Sequence, residues 1–228
     1  MRIEPLGDSA LIVRVADHFD PETSSNAVLA AVRQIEAVAM SGVIELAPAY
    51  TTIGVFFDPA RSGSFGELKA TIEHALQTSL EPARPRAGGE TVIEVPVCYE
   101  DEFAPDLNDV EQHTGLSQDE IIRRHSDATY RVACVGFTPG FPYLSGLPSE
   151  LATPRRASPR KEIPVGAVAI GGTQTGIYPR KSPGGWNIIG RTPLRLFDVQ
   201  RESPALFHAG DQVRFRQISR SEFEKSLA

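Results

Sequence analysis

The residues able to do chemistry crowd into one half of this sequence. His125 and Tyr130 stand five positions apart, just upstream of a glycine- and proline-rich segment that runs from Gly136 to Gly190. A neutral histidine can move a proton near pH 7, and one at a helix C-terminus gains from the dipole when charged. A surface histidine that only caps its helix fits the same residues. The run RRASPRK, Arg155 to Lys161, has four cations in seven residues, within a chain of formal net charge -6. Such a run suits phosphate, carboxylate or an acidic partner surface, and a solvated charge cluster equally. Pro159 fixes the backbone beside Arg160, which gives Arg160 the better claim to a defined inward role and leaves Arg155 peripheral. Further on, Lys181 and Arg191 could balance a carboxylate or a phosphate. His18, His74, His113 and His208 have no metal-ligand spacing.

Two loop-forming runs accompany these groups. In GFTPGFPYLSGLP, Gly136 to Pro148, the aromatics Phe137, Phe141 and Tyr143 alternate with Pro139, Gly140 and Pro142. The prolines fix φ and the glycine frees it, so a stiff loop presenting aromatic faces and backbone amides is expected. Such amides can hold an anion or oxyanion; a structural turn with plugging aromatics is the plainer alternative. In GGTQTGIYPRKSPGGWNIIGRTP, Gly171 to Pro193, polar groups come from Gln174, Thr175, Tyr178, Lys181, Ser182, Asn187 and Arg191. Gly184 and Gly185 let the backbone pass closely before Trp186, the only tryptophan. Small ligands bind in apolar clefts with a few convergent polar groups, although Trp186 alone could equally be core.

The elements that position these groups follow from periodicity. SALIVRV (Ser9 to Val15) reads as a strand, and Val28, Ala31, Val32, Ile35, Val38 and Ala39 recur at helical spacing. VIEL and TTIGVFF read as strands, separated by a turn or bend at Ala47 to Tyr50. Ser64 and Glu67 have capping-box spacing before a second helix. This β-α-β-β-α pattern predicts an α+β domain over 1–82, of the split βαβ, ferredoxin-like kind. The stretch EPARPRAGGE, Glu81 to Glu90, reads as a linker. TVIEVPVCY opens a second domain, 90–228, as a strand whose Pro96 implies an edge or a bulge. Two short helices follow, the second capped by Ser117 and Glu120. Then come short strands in YRVACVGF, GAVAIGG, TGIYP, WNIIG, LRLFDV and QVRFRQI, separated by Gly/Pro turns. That spacing predicts an antiparallel barrel or sandwich. SRSEFEKSL is expected to close as a short helix.

Composition narrows the function classes. The chain is 41% hydrophobic and 23% charged, an ordinary globular balance. Its acidic charge disfavours nonspecific nucleic-acid binding, and no nucleic-acid-binding signature is visible. No segment reaches the length of a membrane span. The N-terminus lacks the pattern of a secretory signal, so a cytoplasmic location is expected. Cys98 and Cys134 form no redox or metal motif and read as buried thiols. The phosphate loop GxxxxGK[ST] and the motifs HExxH, GxSxG and GxGxxG are absent.

The segments RRHSDATYRVACVGFTPGFPYLSGLP, LATPRRASPRKEIPVGAVAIGGTQTGIYPRKSPGGWNIIGRTPLRLFD and SPALFHAGDQVRFR closely resemble the KipI/allophanate-hydrolase subunit 1 family. The likeness covers essentially the whole chain. It implies a small α/β domain followed by a mainly-β, cyclophilin-like barrel of carboxyltransferase type, without implying prolyl isomerase activity. Among the activities in the family, the resemblance points first to an ATP-dependent 5-oxoprolinase, which opens 5-oxoproline to L-glutamate. The resemblance implies ATP, with Mg2+, shared with a related C-type partner in a complex that also holds a third, lactam-handling partner of the A type. Mapped onto this sequence, the family's site region gives His125, Tyr130, Arg160 and Arg191 as candidate catalytic residues. It gives Phe137, Pro139, Gly140, Phe141, Gln174, Thr175, Tyr178, Lys181, Gly184, Gly185 and Trp186 as candidate substrate-binding residues, and no resident metal. Two other activities are carried by relatives: inhibition of a histidine kinase, and urea or allophanate chemistry.

Overall fold

A computed structural model describes residues 1–77 and 92–227. The expected linker, 81–90, lies outside the described residues. The chain separates into two compact units, Met1–Gly89 and Glu90–Ala228.

The N-terminal unit contains β1 (Arg2–Pro5), β2 (Ala10–Arg14), α1 (Thr23–Ala37), β3 (Val43–Ala49), β4 (Thr52–Phe57), α2 (Pro59–Ser62) and α3 (Phe65–Gln77). Its strands lie in the order β1-β2-β4-β3, each neighbouring pair antiparallel. β4 therefore sits between β2 and β3, which α1 connects, and β1 takes the outer edge beside β2. The alternation along the strands decides the buried face. Leu11, Val13, Ile53 and Val55 turn to one side and meet Val28, Ala31 and Ile35 of α1 and Leu68 and Ile72 of α3. The unit is α+β, as its periodicity implies. β3 runs further than expected, through Pro48, and the hairpin turns at Tyr50 and Thr51 with Tyr50 at φ 50°. The capping pair is present: Glu67 Oε2 accepts from the Ser64 amide at 2.8 Å.

The C-terminal unit contains β5 (Val92–Val97), α4 (Leu107–Thr114), α5 (Gln118–Asp127), β6 (Thr129–Val135), β7 (Pro142–Ser145), β8 (Arg160–Ile163), β9 (Ala167–Gly171), β10 (Gln174–Ile177), β11 (Ser182–Gly184), β12 (Asn187–Arg191), β13 (Gln212–Gln217) and α6 (Arg220–Lys225). Its main strands follow the path β5-β13-β6-β7-β10-β9-β12. β5 runs parallel to β13 and the other neighbours are antiparallel. β8 and β11 make a separate two-stranded sheet. Pro96 is accommodated because β5 pairs on one side only.

The barrel expected from the sequence does not form. A barrel needs a ladder between its first and last strands, and no sheet among the described residues closes. β5 and β12 are linked only through the single bridge Cys98–Arg191, past the end of β5. From there the chain turns at Glu100 towards α4, so no second pair can follow. The larger unit is therefore a mixed open sheet, and the cyclophilin-like assignment is corrected accordingly. LRLFDV, expected as a strand, has only the isolated bridge Phe197–Ala205. The core of the unit joins Val95, Val97, Val132, Leu144, Val168, Ile170, Ile177 and Phe215 of the sheet to Val110 and Ile121 of the helices. Cys98 and Cys134 are both buried, and neither is in a disulfide.

Candidate functional site

The residues singled out from the sequence fall into three groups, all within the C-terminal unit. The first is enclosed. His125, on the last turn of α5, is fully buried. Thr175 Oγ1 donates to the Ala169 carbonyl at 3.0 Å and lies 3.0 Å from His125 Nε2. A hydroxyl has one hydrogen, so Nε2 must donate to Thr175, and Nδ1 accepts from Tyr99 Oη at 2.8 Å. The network thus fixes the tautomer. Phe215 stacks on the imidazole at 4.4 Å. Burial without a carboxylate partner pushes the histidine down to about 3. Tyr130, buried on β6, donates to the His125 carbonyl at 2.9 Å, and burial raises its phenol. His125, Tyr130 and Thr175 thus form a satisfied internal network, with both ring nitrogens taken.

The second group is an aromatic wall. Phe141, at the end of the Gly136 turn, lies 4.8 Å from Tyr143, 5.1 Å from Tyr178 and 5.7 Å from Trp186, all edge-on. Such pairs add about 0.5–1.5 kcal/mol each beyond their burial. Two glycines make the packing possible. A Cβ on Gly171 would lie 2.4 Å from the Trp186 indole, and one on Gly184 2.4 Å from Tyr178 Oη. Tyr178 is pushed up to about 12 by burial. Phe137 differs from the rest: it is 62% exposed and held at φ 67°. The Thr138 amide donates to the Gly136 carbonyl at 2.8 Å, closing a tight three-residue turn around it. Pro139 is exposed and Gly140 buried behind it, and Gln174 opens β10, half-buried.

The third group surrounds a cleft of about 190 Å3, lined by Glu102, Phe103, Arg160, Glu162, Ile188 and Arg191 among others. Arg160 and Arg191, 31 positions apart in sequence, come together here because β8 and β12 both border it. Arg160 is not free. Its Nη1 and Nη2 each donate to the buried Asp106 carboxylate at 2.7 Å. Arg156 Nη1 also donates to Asp106, and reaches Asp109 at 3.0 Å. Asp106 Oδ2 accepts the Ile188 amide at 2.7 Å. Arg191 Nε donates to the Val165 carbonyl at 2.8 Å, and its guanidinium lies 5.6 Å from the Phe223 ring centre. Lys181 is not part of the lining; it is largely exposed and paired with Glu162 at 2.9 Å. Gly185 serves through its carbonyl, which accepts the Arg156 amide at 2.7 Å.

These loops and strands are shared with known proteins. The family model of the carboxyltransferase domain, subdomain C and D, matches residues 1–207. The chain belongs to this carboxyltransferase-domain family. The B subunit of 5-oxoprolinase from Bacillus subtilis (strain 168) is 41% identical over 231 aligned residues, covering 97% of this chain and 95% of that relative. Among solved structures, TTHA0988 is 34% identical with TM-score 0.78 over 92% of this chain. This chain spans only 40% of the length of TTHA0988. The Kluyveromyces lactis urea amidolyase matches 98% of this chain and 15% of its own, at 19% identity and TM-score 0.75, which shows a shared fold.

In this carboxyltransferase-domain protein the sequence left four important residues unmarked. Asp106 immediately precedes α4 but makes no side-chain cap bond and serves the arginines instead. Arg156 looked like one more cation in a run. Arg155, expected at the periphery, lies over the Trp186 ring at 5.7 Å. Tyr99 reads only as a strand residue, and no local signal shows that it meets His125. Among the described residues no helix is long and apolar enough to cross a membrane.

Proposed function

We propose that this chain is one component of an ATP-dependent 5-oxoprolinase, opening 5-oxoproline to L-glutamate together with partner subunits. The observation that carries this reading is the 41% identity, nearly end to end, to a relative named as the B subunit of 5-oxoprolinase. A lactam is resonance-stabilised, and its opening needs activation. The lactam oxygen attacks the γ-phosphorus of ATP, forming an O–P bond and releasing ADP. Water adds to the ring carbon, the C–N bond breaks to free the amine, and a second water displaces phosphate. One water is thus used for the lactam and one for ATP.

Developing charge at the phosphoryl group calls for fixed cations. Arg160, Lys181 and Arg191 are the candidates in this chain, and Arg191 alone of the three has no carboxylate partner among the described residues. His125 and Tyr130 act in this reading by positioning β10 and α5, since their polar atoms are enclosed. The proton donor and base are therefore assigned to the related C-type partner, with the third, A-type partner handling the lactam. Among the described residues no group of three His, Cys, Asp or Glu could hold a metal. The residues present do not fit a resident magnesium site, and no step runs through one.

The test is to co-purify the chain with the products of its neighbouring genes and assay glutamate release from 5-oxoproline. ATP-dependent release is expected, falling about 100-fold for Arg191→Ala in the assembled complex. An assembled complex that consumes urea or allophanate instead, or a chain that only inhibits a histidine kinase, would overturn the reading.

A further inference from the structure

The charged groups lining the β8–β12 cleft are not all paired. Arg160 is matched by Asp106 at 2.7 Å, Glu162 by Lys181 at 2.9 Å and Glu102 by Arg220 at 2.8 Å. Arg191 is the remaining charged residue of the lining, and among the described residues no carboxylate lies within ion-pair distance of it. Arg191 is thus the one charged group of the lining without an ion-pair partner among the described residues. Nε of Arg191 is occupied by the Val165 carbonyl. Its two terminal nitrogens remain, and these form the end-on fork that matches a carboxylate with two parallel hydrogen bonds. The rest of the lining is apolar or already neutralised: Phe103, Pro105, Pro164, Ala167 and Ile188. At about 190 Å3 the space falls below the roughly 300–1,000 Å3 of pockets for drug-sized ligands. A nucleoside triphosphate is too large for it.

We infer that this cleft binds a compact monocarboxylate through Arg191, so that of the anionic groups in the proposed reaction Arg191 holds the lactam's carboxylate and not the transferring phosphoryl group. The choice of 5-oxoproline as its ligand rests on the function proposed above. Size, single charge and an N–H that a glutamate can accept all suit that ring.

Calorimetric titration of the purified full chain tests the assignment, with 5-oxoproline, 2-pyrrolidinone, ATP and inorganic phosphate as separate probes. Saturable binding of 5-oxoproline is expected. ATP and phosphate should bind at least tenfold more weakly, and 2-pyrrolidinone, the same ring without its carboxylate, should not bind. Arg191→Gln should weaken 5-oxoproline at least tenfold, and Arg191→Lys should recover part of the loss. Thermal melts establish that each variant is folded. The assignment is overturned if 5-oxoproline does not bind, if 2-pyrrolidinone binds equally well, or if ATP displaces 5-oxoproline from the chain. It is overturned too if folded Arg191→Gln keeps full affinity. The two readings separate cleanly. Arg191-dependent carboxylate binding with no glutamate release by the assembled complex leaves the cleft standing and removes the oxoprolinase. Glutamate release with KM unchanged in Arg191→Gln does the reverse.

Discussion

At the scale of single residues, His125 is held neutral by its surroundings. Both ring nitrogens are committed and no anion is near to compensate a charge, so burial lowers it to about 3. The unfolded chain binds that proton near pH 6.5, its ordinary value. Between these two values the unfolded state holds more protons, so stability is full above pH 6.5 and declines as pH falls. The expected loss from this residue between pH 7 and pH 5 is about 2 kcal/mol, from the linkage of about 1.4 kcal/mol per pH unit. Urea unfolding at both pH values should show that loss in the natural chain and its absence in His125→Gln. An equal pH dependence in the two would mean the imidazole is not the group titrating. The sequence marked His125 by type and by its place at a helix end. It could not show that Tyr99 and Thr175, 26 positions before and 50 after, would satisfy it.

At the scale of elements, Asp106 joins parts that the sequence keeps far apart. Its buried carboxylate receives the guanidinium of Arg160 on β8, that of Arg156 in the preceding loop, and the Ile188 amide on β12. α4 begins at the next residue, so the clamp also fixes that helix. Removing Asp106 leaves the buried Ile188 amide unpaired and two arginines, 29% and 27% exposed, without their carboxylate, at a cost of about 1–3 kcal/mol. Asp106→Ala should lower stability by that amount in chemical denaturation. A loss below about 1 kcal/mol would show that the arginines find water instead, as exposed pairs do. The helices other than the four-residue α2 were legible. Ser117 caps α5 through the Glu120 amide, and Ser219 with Glu222 completes a capping box on α6. Caps are short-range hydrogen bonds, so their residues and their effect lie within one turn of each other. β1 was not legible, because RIEP is four residues with one buried side chain.

At the scale of the whole molecule, the candidate acid, base and cation groups of this chain are engaged within it, apart from the terminal nitrogens of Arg191. Purified alone, the chain should therefore show negligible ATP-dependent ring opening in a glutamate-release assay, and robust turnover by the lone polypeptide would contradict the proposal. The sequence by itself determined the α+β character of the first unit, the strand-rich second unit, the capped helices and the family. Those follow from periodicity, capping pairs and long matching loops, all of which are local or linear signals. The tertiary structure alone decided three matters: that the larger sheet stays open, that His125 is sealed inside, and that of the three candidate cations only Arg191 has no anionic partner among the described residues. Closure depends on whether the first and last strands can pair, and here one bridge between Cys98 and Arg191 is all that links them. Charge availability depends on which carboxylate lies within a few ångströms, and Asp106 reaches Arg160 across 54 positions of sequence.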